Sequence, residues 1–358
     1  MAQIKTFLGA NTPRGFISLF DEIHNPYKDI NFYLIKGGPG TGKSSFMKKV
    51  ALAAEKKGVF TERVYCSSDP DSLDAVIIKD ISLIMADATS PHIIEPRFPG
   101  ISETVINPGD FWDRKKLLSH KEEIRALYVE NSLYHRRSSH FLASLGEISK
   151  DSERILFEAV NKDKIESYCV RFASREFPSK KSTSPGKKER RFISGITPKG
   201  VVFFDSTIKA LSNRVIGIND EHSAVSPLII ERLGDLASKN GYDVILFKCP
   251  VKPDSFEHLI IPEISLCVTT VKKEHPSKIK ADRLIHPRRF LFDEALREQK
   301  NRLSFNRKME NALLKESVSY LKKAKETHDR LEKFYVEAMD FDALNSFEEK
   351  FIKNNILI

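Results

Sequence analysis

The sequence is short of almost everything that marks an exported, membrane-bound or metal-stapled protein. It has four cysteines, Cys66, Cys169, Cys249 and Cys267, none in a C-x-x-C pair and none beside a histidine cluster. A disulfide framework and a zinc site are therefore not expected, and the four read as small buried residues of a reduced protein. No apolar run reaches the roughly 18 residues that a membrane-spanning helix needs. The opening residues, MAQIKTFLGANTPRG, lack an apolar core of signal-peptide length, so a cytoplasmic location is expected.

What is present is an ordinary globular composition with a basic excess. The 358 residues are 41% hydrophobic and 30% charged, with a net charge of +9. That length suits two domains. The charge leaves room for an acidic ligand or a nucleic acid. Part of it is local, in the stretch SKKSTSPGKKERR (residues 179–191), which reads as a solvated basic linker.

The chain repeats itself. Set against the residue 183 positions later, Ile35 meets Ile218, Cys66 meets Cys249, and Pro70, Asp71 and Ser72 meet Pro253, Asp254 and Ser255. Ile77, Ile78, Ile81, Ser82, Leu83 and His92 likewise meet Ile260, Ile261, Ile264, Ser265, Leu266 and His275. Upstream, TPRG (12–15) pairs with TPKG (197–200), and downstream FEAVNKDKIES (157–167) pairs with VEAMDFDALNS (336–346). A match of this length in one order implies duplication. It divides the chain into units 1–175 and 190–358, joined by the linker 176–189.

Each unit shows the same plan. In the first, NFYLIK reads as a buried strand, a helix runs from about Gly42 to Lys57 and stops before Gly58, and FTERVYC and ISLIMAD read as further strands. This order implies an α/β fold with a mainly parallel sheet and flanking helices. Apolar residues at helical spacing through Arg114–Glu158, and again through Asp293–Met339, predict a long helical hairpin in each unit.

Gly37-Gly38-Pro39-Gly40-Thr41-Gly42-Lys43-Ser44 fits the pattern G-x-x-x-x-G-K-[ST] at every fixed position, with a strand before it and a helix after. Glycines permit the positive φ angles that turn successive backbone N–H groups into one concavity. The helix start adds partial positive charge and free N–H donors. Lys43 is expected to bridge phosphate oxygens, Ser44 to ligate Mg²⁺, and Ser45 to complete the cradle.

On these residues the first unit resembles a P-loop nucleoside triphosphatase; GGPGTGKS is close to the loop of AAA-type ATPases and of some small kinases. The whole chain is similar to a bacterial family of tandem P-loop proteins known only as ATPases or nucleotide kinases. The resemblance implies two tandem P-loop-type units, ATP and Mg²⁺ as ligands, and ATP hydrolysis by the first unit. It leaves open a nucleotide or small-molecule acceptor, and a nucleotide-dependent switch that binds a protein or nucleic acid. ATP over GTP rests on the resemblance, with mild support from the lack of a guanine-reading N-K-x-D pattern.

A Mg²⁺ site of this type needs a second carboxylate at the end of a nearby strand. Asp87, closing ISLIMAD, is the candidate; its mate in the second unit is Thr270. Ala88 follows where AAA-type enzymes carry a glutamate. Asp21-Glu22 and Asp293-Glu294 mimic such a pair but stand in the wrong place, and read as boundary residues. In CSSDPDSLD, Asp71 reads as a helix or turn cap and Asp69 stays open. His92 reads as a structural hydrogen-bonding residue. Arg97 faces Lys280 in the second unit and is left out of the site. The second unit keeps the strand and helix but replaces the loop by INDEHSAVSP, aligning Asp220, Glu221, Val225, Ser226 and Pro227 with Gly37, Gly38, Gly42, Lys43 and Ser44. That stretch is expected to bind no phosphate.

Overall fold

A computed structural model of the chain describes residues 3–24, 30–180, 184–272, 277–292 and 297–357. The first unit contains β1 (Gln3–Thr6), the hairpin β2 (Gly9–Thr12) and β3 (Gly15–Ser18), β4 (Asn31–Ile35), α1 (Lys43–Lys56), β5 (Thr61–Tyr65), β6 (Leu73–Ile78), β7 (Leu83–Asp87) and β8 (Glu103–Ile106). Then come α2 (Arg114–Ser119), α3 (Lys121–Glu158) and α4 (Lys162–Glu176). The second unit contains β9 (Lys188–Arg191), the hairpin β10 (Ser194–Thr197) and β11 (Gly200–Phe203), α5 (Asp205–Leu211), β12 (Arg214–Asn219) and α6 (Ser226–Lys239). It continues with β13 (Val244–Lys248), β14 (Phe256–Ile261), β15 (Leu266–Val271), β16 (Arg283–Ile285), α7 (Lys300–Ala338) and α8 (Phe341–Asn355).

The duplication holds in space. One six-stranded sheet runs β1-β5-β6-β7-β4-β8 and the other β9-β13-β14-β15-β12-β16, so each strand keeps its counterpart's position. Both sheets are mixed. β6 is antiparallel to β5 and β7, and β14 is antiparallel to β13 and β15; the remaining pairings are parallel. The mainly parallel sheet expected from the sequence is corrected by this inserted strand. Leu73–Ile78 is buried at every position. A strand covered on both faces loses the alternation that would have announced it. It returns into β7 through a single 3-10 turn, Lys79–Ile81, closed by Ser82 at φ 50°.

The long helices bring a larger correction. They are not hairpins within each unit. α3 lies antiparallel along α7 of the other unit: Ile124 and Leu127 pack with Leu331, Leu142 packs with Leu321, and Ser138 Oγ lies 2.8 Å from Ser317 Oγ. At the far end Asn306 Nδ2 donates to Asp151 Oδ2 at 2.8 Å.

Each unit also lends its last helix to the other. α4 buries Ile165, Tyr168, Cys169 and Phe172 in the core that holds Ile216, Ile218, Ile229 and Leu233 of the second sheet and its helix. α8 buries Phe351 against Ile35, Phe46 and Met47 of the first sheet. Backbone bonds fix both crossings in the same way. Asp113 N donates to Ala338 O (2.7 Å) and Asp340 N to Phe111 O (2.9 Å); Asn161 N donates to Phe290 O and Phe292 N to Ala159 O (both 2.8 Å). The sequence repeats 1–175 and 190–358 are thus two copies, but each packed core is built from both.

A second seam ties the sheet edges. Phe7 and Phe192 exchange backbone hydrogen bonds of 2.8 and 3.0 Å. The buried Arg191 donates to Glu62 Oε1 at 2.7 Å. Burial opposes the Arg191 charge, yet Glu62 and Glu189 raise its pKa further. Arg14 pairs with Asp254 and Lys199 with Asp71, the two contacts being copies of each other. The linker is docked rather than solvated at its described ends: Lys180 Nζ reaches Gly241 O at 3.0 Å, and Gly186 N donates to Ser238 O at 2.8 Å. Among the described residues no helix is long and apolar enough to cross a membrane. The four cysteines are free, and burial pushes the Cys169 and Cys249 thiols up to about 12.

Because α8 completes the first core, truncating Phe351 in the second repeat should unfold the first. Phe351→Ala is expected to cost about 3 kcal/mol, the usual scale for a buried Phe→Ala change. Urea unfolding followed by the fluorescence of Trp112, which lies in the first unit, checks this; an unchanged midpoint would refute the exchange.

Candidate functional site

The site stands at the C-terminal ends of β4 and β7, where Ile35 and Asp87 are register partners. The segment from Lys36 to Gly42 turns from strand to helix with Gly40 at φ 68° and Gly42 at φ 78°, angles that favour glycine. α1 then starts at Lys43 with no side chain capping its N–H groups. N–H groups left uncapped at a helix start are open to water or to an anion.

Lys43 folds back over the loop. Its Nζ donates to Gly37 O (2.7 Å) and Gly38 O (2.8 Å), and lies 3.5 Å from Asp87 Oδ2. Thr41 Oγ1 braces the turn by donating to Gly38 O at 2.9 Å. Asp87 is aimed from the other side: its Oδ1 accepts from Thr89 N (2.9 Å) and Thr89 Oγ1 (2.5 Å), which leaves Oδ2 toward the lysine. Ser44 Oγ accepts from Leu73 N at 2.9 Å, so the unforeseen strand β6 positions it.

Pro39, Gly40, Thr41, Gly42, Lys43, Ser44, Ser45 and Asp87 line one cavity of about 950 Å³ including its open mouth. Gly37 and Gly38, also expected in the cradle, are not in its lining; they contribute the carbonyls that hold Lys43. Asp69 also reaches the cavity, and there it caps Ser72 through Ser72 Oγ at 2.8 Å. Asp71 does not reach it; it is exposed, bonded to Lys199 Nζ at 2.6 Å, and that bond lowers its pKa. Arg97 is exposed and outside the cavity lining. Glu22 pairs with Arg190 at the seam (2.6 Å). Asp293 and Glu294 lie outside the described residues.

The wall opposite the loop comes mainly from the other repeat. α7 supplies Lys325, His328 and Glu332, and α3 adds His135. The approach is close enough that a Cβ on Gly40 would fall 2.9 Å from Glu332 O. Gly40 is therefore required twice, by its backbone angle and by the helix above it. Burial lowers the pKa of both His135 and His328, and the two imidazoles also oppose each other's charge at His135. Lys325 goes the other way: burial is outweighed by Asp329, Asp69 and Glu332. His328, Asp329 and Glu332 place ligand atoms within 4.8 Å of one another, though Asp329 is already engaged by Lys325. No sequence signal marked these residues, which sit in an ordinary charged helix more than 280 residues from the loop in the chain.

The second unit shows what happens when the same turn is closed. Asp220, at the position of Gly37, is 3% exposed, and its Oδ2 accepts from both Val225 N and Ser226 N at 2.7 Å. These are the counterparts of the Gly42 and Lys43 N–H groups. A carboxylate of the chain occupies the helix N-terminus. Ser223 keeps the positive φ of Gly40 (50°), but Val225 has φ −109° where Gly42 has 78°. Thr270, at the Asp87 position, donates its hydroxyl to Glu257 O at 2.9 Å.

His92 proves to be internal to the first unit. It packs against Phe16 and Phe20 with centroids 5.0 and 4.6 Å away, and its Nε2 lies 3.0 Å from Asp74 Oδ2. Burial works against its charge, but Asp74 and Asp87 outweigh burial and raise its pKa. Comparison with protein-family models, curated proteins and solved structures returned no match.

Two outcomes follow from this geometry. Asp220→Ala should destabilise the protein by about 2 kcal/mol, the upper range for a lost N-terminal cap, because two buried N–H groups lose their acceptor; thermal unfolding measures it. His92, with a raised folded-state pKa, contributes stability that is full below the unfolded value of 6.5 and is lost as pH rises through the folded value. The stability gap between wild type and His92→Gln should therefore be widest near pH 6 and narrow towards pH 8; a gap that widens with pH would contradict the Asp74 pairing.

Proposed function

We propose that the chain is an ATP-binding protein of the P-loop type whose first unit hydrolyses ATP with Mg²⁺, while the second unit is its covering partner. The observation that carries this reading is the contrast between two copies of one turn. α1 presents uncapped N–H groups and Lys43 to a cavity, whereas α6 has the same N–H groups filled by Asp220.

The residues suit the ligand. Backbone N–H groups of a glycine turn and a helix start cradle phosphate oxygens. Lys43 is held by two carbonyls that it can exchange for phosphate oxygens without moving its backbone. Mg²⁺ takes oxygen ligands, and the Ser44 hydroxyl and Asp87 carboxylate are among the oxygen groups that line this cavity. Magnesium supplies charge neutralisation on the transferring phosphoryl group. The second unit binds no nucleotide phosphate on this reading, because Asp220 stands in for it.

No proton acceptor for an attacking water follows Asp87 in the chain, since Ala88 has no titratable group. Glu332, on the wall opposite Lys43, is the carboxylate that this reading assigns to that work. The same gap supports a second reading, phosphoryl transfer to a nucleotide or other small acceptor that enters beneath α7 and brings its own nucleophile.

Purified protein with Mg·ATP and no acceptor should release phosphate. Lys43→Ala should lose binding of a fluorescent ATP analogue. Asp87→Asn should keep that binding but release phosphate about 100-fold more slowly, a magnitude usual for removal of one transition-state charge contact. Unchanged ATP binding in Lys43→Ala would overturn the site; diphosphate formed from an added nucleoside monophosphate, without phosphate release, would select the second reading.

A further inference from the structure

The repeat allows the two units to be compared position by position, and away from the glycine loop they differ in charge along one edge. β8 and the turn after it in the first unit read TVINPGDF (104–111), and β16 and its turn in the second read RLIHPRRF (283–290). The alignment is structural as well. Pro108 and Pro287 each open a 3-10 turn, and the turns end at Phe111 and Phe290. Thr104, Asn107, Gly109 and Asp110 thus correspond to Arg283, His286, Arg288 and Arg289. One copy carries a single negative charge here and the other three arginines and a histidine.

These arginines meet two more from the exchanged helix. Arg171 and Arg175 of α4 join Arg283, His286 and Arg289 around a concavity of about 900 Å³ with no carboxylate in its lining. A second hollow of about 1800 Å³ shares His286 and adds Arg288, Arg297, Lys300 and Arg307; its lining also holds two carboxylates, Asp220, which is buried on the N–H groups of α6, and Glu221, 3.7 Å from Arg307. Glu176 stands beside the first hollow and pairs with Arg175 (3.1 Å), Arg214 (2.7 Å) and Arg283 (3.4 Å). Arg171, Arg288 and Arg289 make no ion pair among the described residues. Arg283 and Arg289 lie over the rings of Phe172 and Tyr168, with Cζ 5.5 and 5.1 Å from the ring centroids. Val170 and Leu284, about half exposed, add apolar surface beside the charges.

We propose that this arginine-lined groove of the second unit binds a single strand of nucleic acid through its phosphodiester backbone. Guanidinium groups spread over two hollows that share His286 suit a string of phosphates, which each arginine can grip with two N–H donors. The concavity argues against an anionic bilayer, whose flat surface does not reach arginines on facing walls. Asp110 in the first copy would repel such a strand, so the function belongs to the second unit. The groove is separate from the Lys43 cavity and owes nothing to nucleotide chemistry.

The test is fluorescence anisotropy of a labelled oligo-dT of about 30 nucleotides, titrated with full-length protein at several salt concentrations. Arg171→Gln/Arg288→Gln/Arg289→Gln should weaken binding at least about tenfold and flatten the slope of log K against log salt by about two, from about 0.7 per lost phosphate contact on a single strand. Lys315→Gln/Lys322→Gln/Lys333→Gln removes the same charge from exposed positions of α7 and should change binding little. Arg171→Gln alone keeps the test readable if the triple variant unfolds, and should weaken binding by a smaller factor. Lys43→Ala should bind the strand as wild type does, so failure here and failure of the ATP reading are distinguishable. No binding by wild type, equal loss in both triple variants, or retention on phosphatidylserine vesicles that the oligonucleotide cannot compete away would each overturn the proposal.

Discussion

Neither sheet can cover itself. Each has an apolar face over which its own crossover helix, α1 or α6, is only part of a lid, and the remainder arrives from the other repeat. That reciprocal debt governs the molecule. To deliver α4 and α8 across, the chain must span the gap twice, and it does so with α3 and α7, helices of 38 and 39 residues that bury their apolar stripes against each other. Most of a helix's stability in a folded protein comes from packing its amphipathic face, so the pairing stabilises both at once. The backbone bonds at Asp113, Asn161, Phe292 and Asp340 then fix where each crossing ends.

The functional geometry follows from this exchange. α7 passes over the glycine loop on its way back, which is why Lys325, His328 and Glu332 face Lys43. A helix of the second copy thus completes the wall of the first copy's cavity. In the opposite direction, α4 leaves the first unit and brings Arg171 and Arg175 to the edge of the second sheet. Asymmetry between the copies is electrostatic at both ends. One helix N-terminus is open and its twin is filled by Asp220; one sheet edge carries Asp110 and its twin carries Arg289.

Much of the candidate site was legible beforehand because its elements are local. A strand, a glycine turn, a lysine and a hydroxyl lie within a dozen residues, and the backbone angles that the turn needs restrict which residues can stand there. Asp87 was reached by one more step, the end of the adjacent strand, and it does lie beside Lys43. Asp220 was read as repelling phosphate. Its actual work is more specific, since it bonds the N–H groups that phosphate would need. Strand β6 was missed because complete burial erased its period, and with it went the partner that holds Ser44.

By itself, then, the sequence determined what proximity along the chain can determine: a duplicated α/β plan, a glycine turn intact in one copy and lost in the other, and helices with one apolar stripe. Only the tertiary structure decided which stripe meets which. An apolar stripe records that it must be buried and is silent on its partner, because hydrophobic burial is non-directional and any apolar face of suitable shape will serve. Here α3 met α7 in place of a neighbour in its own repeat, and α4 and α8 changed sheets. That choice, made by packing, put a helix of the second copy over Lys43 and four arginines around one hollow.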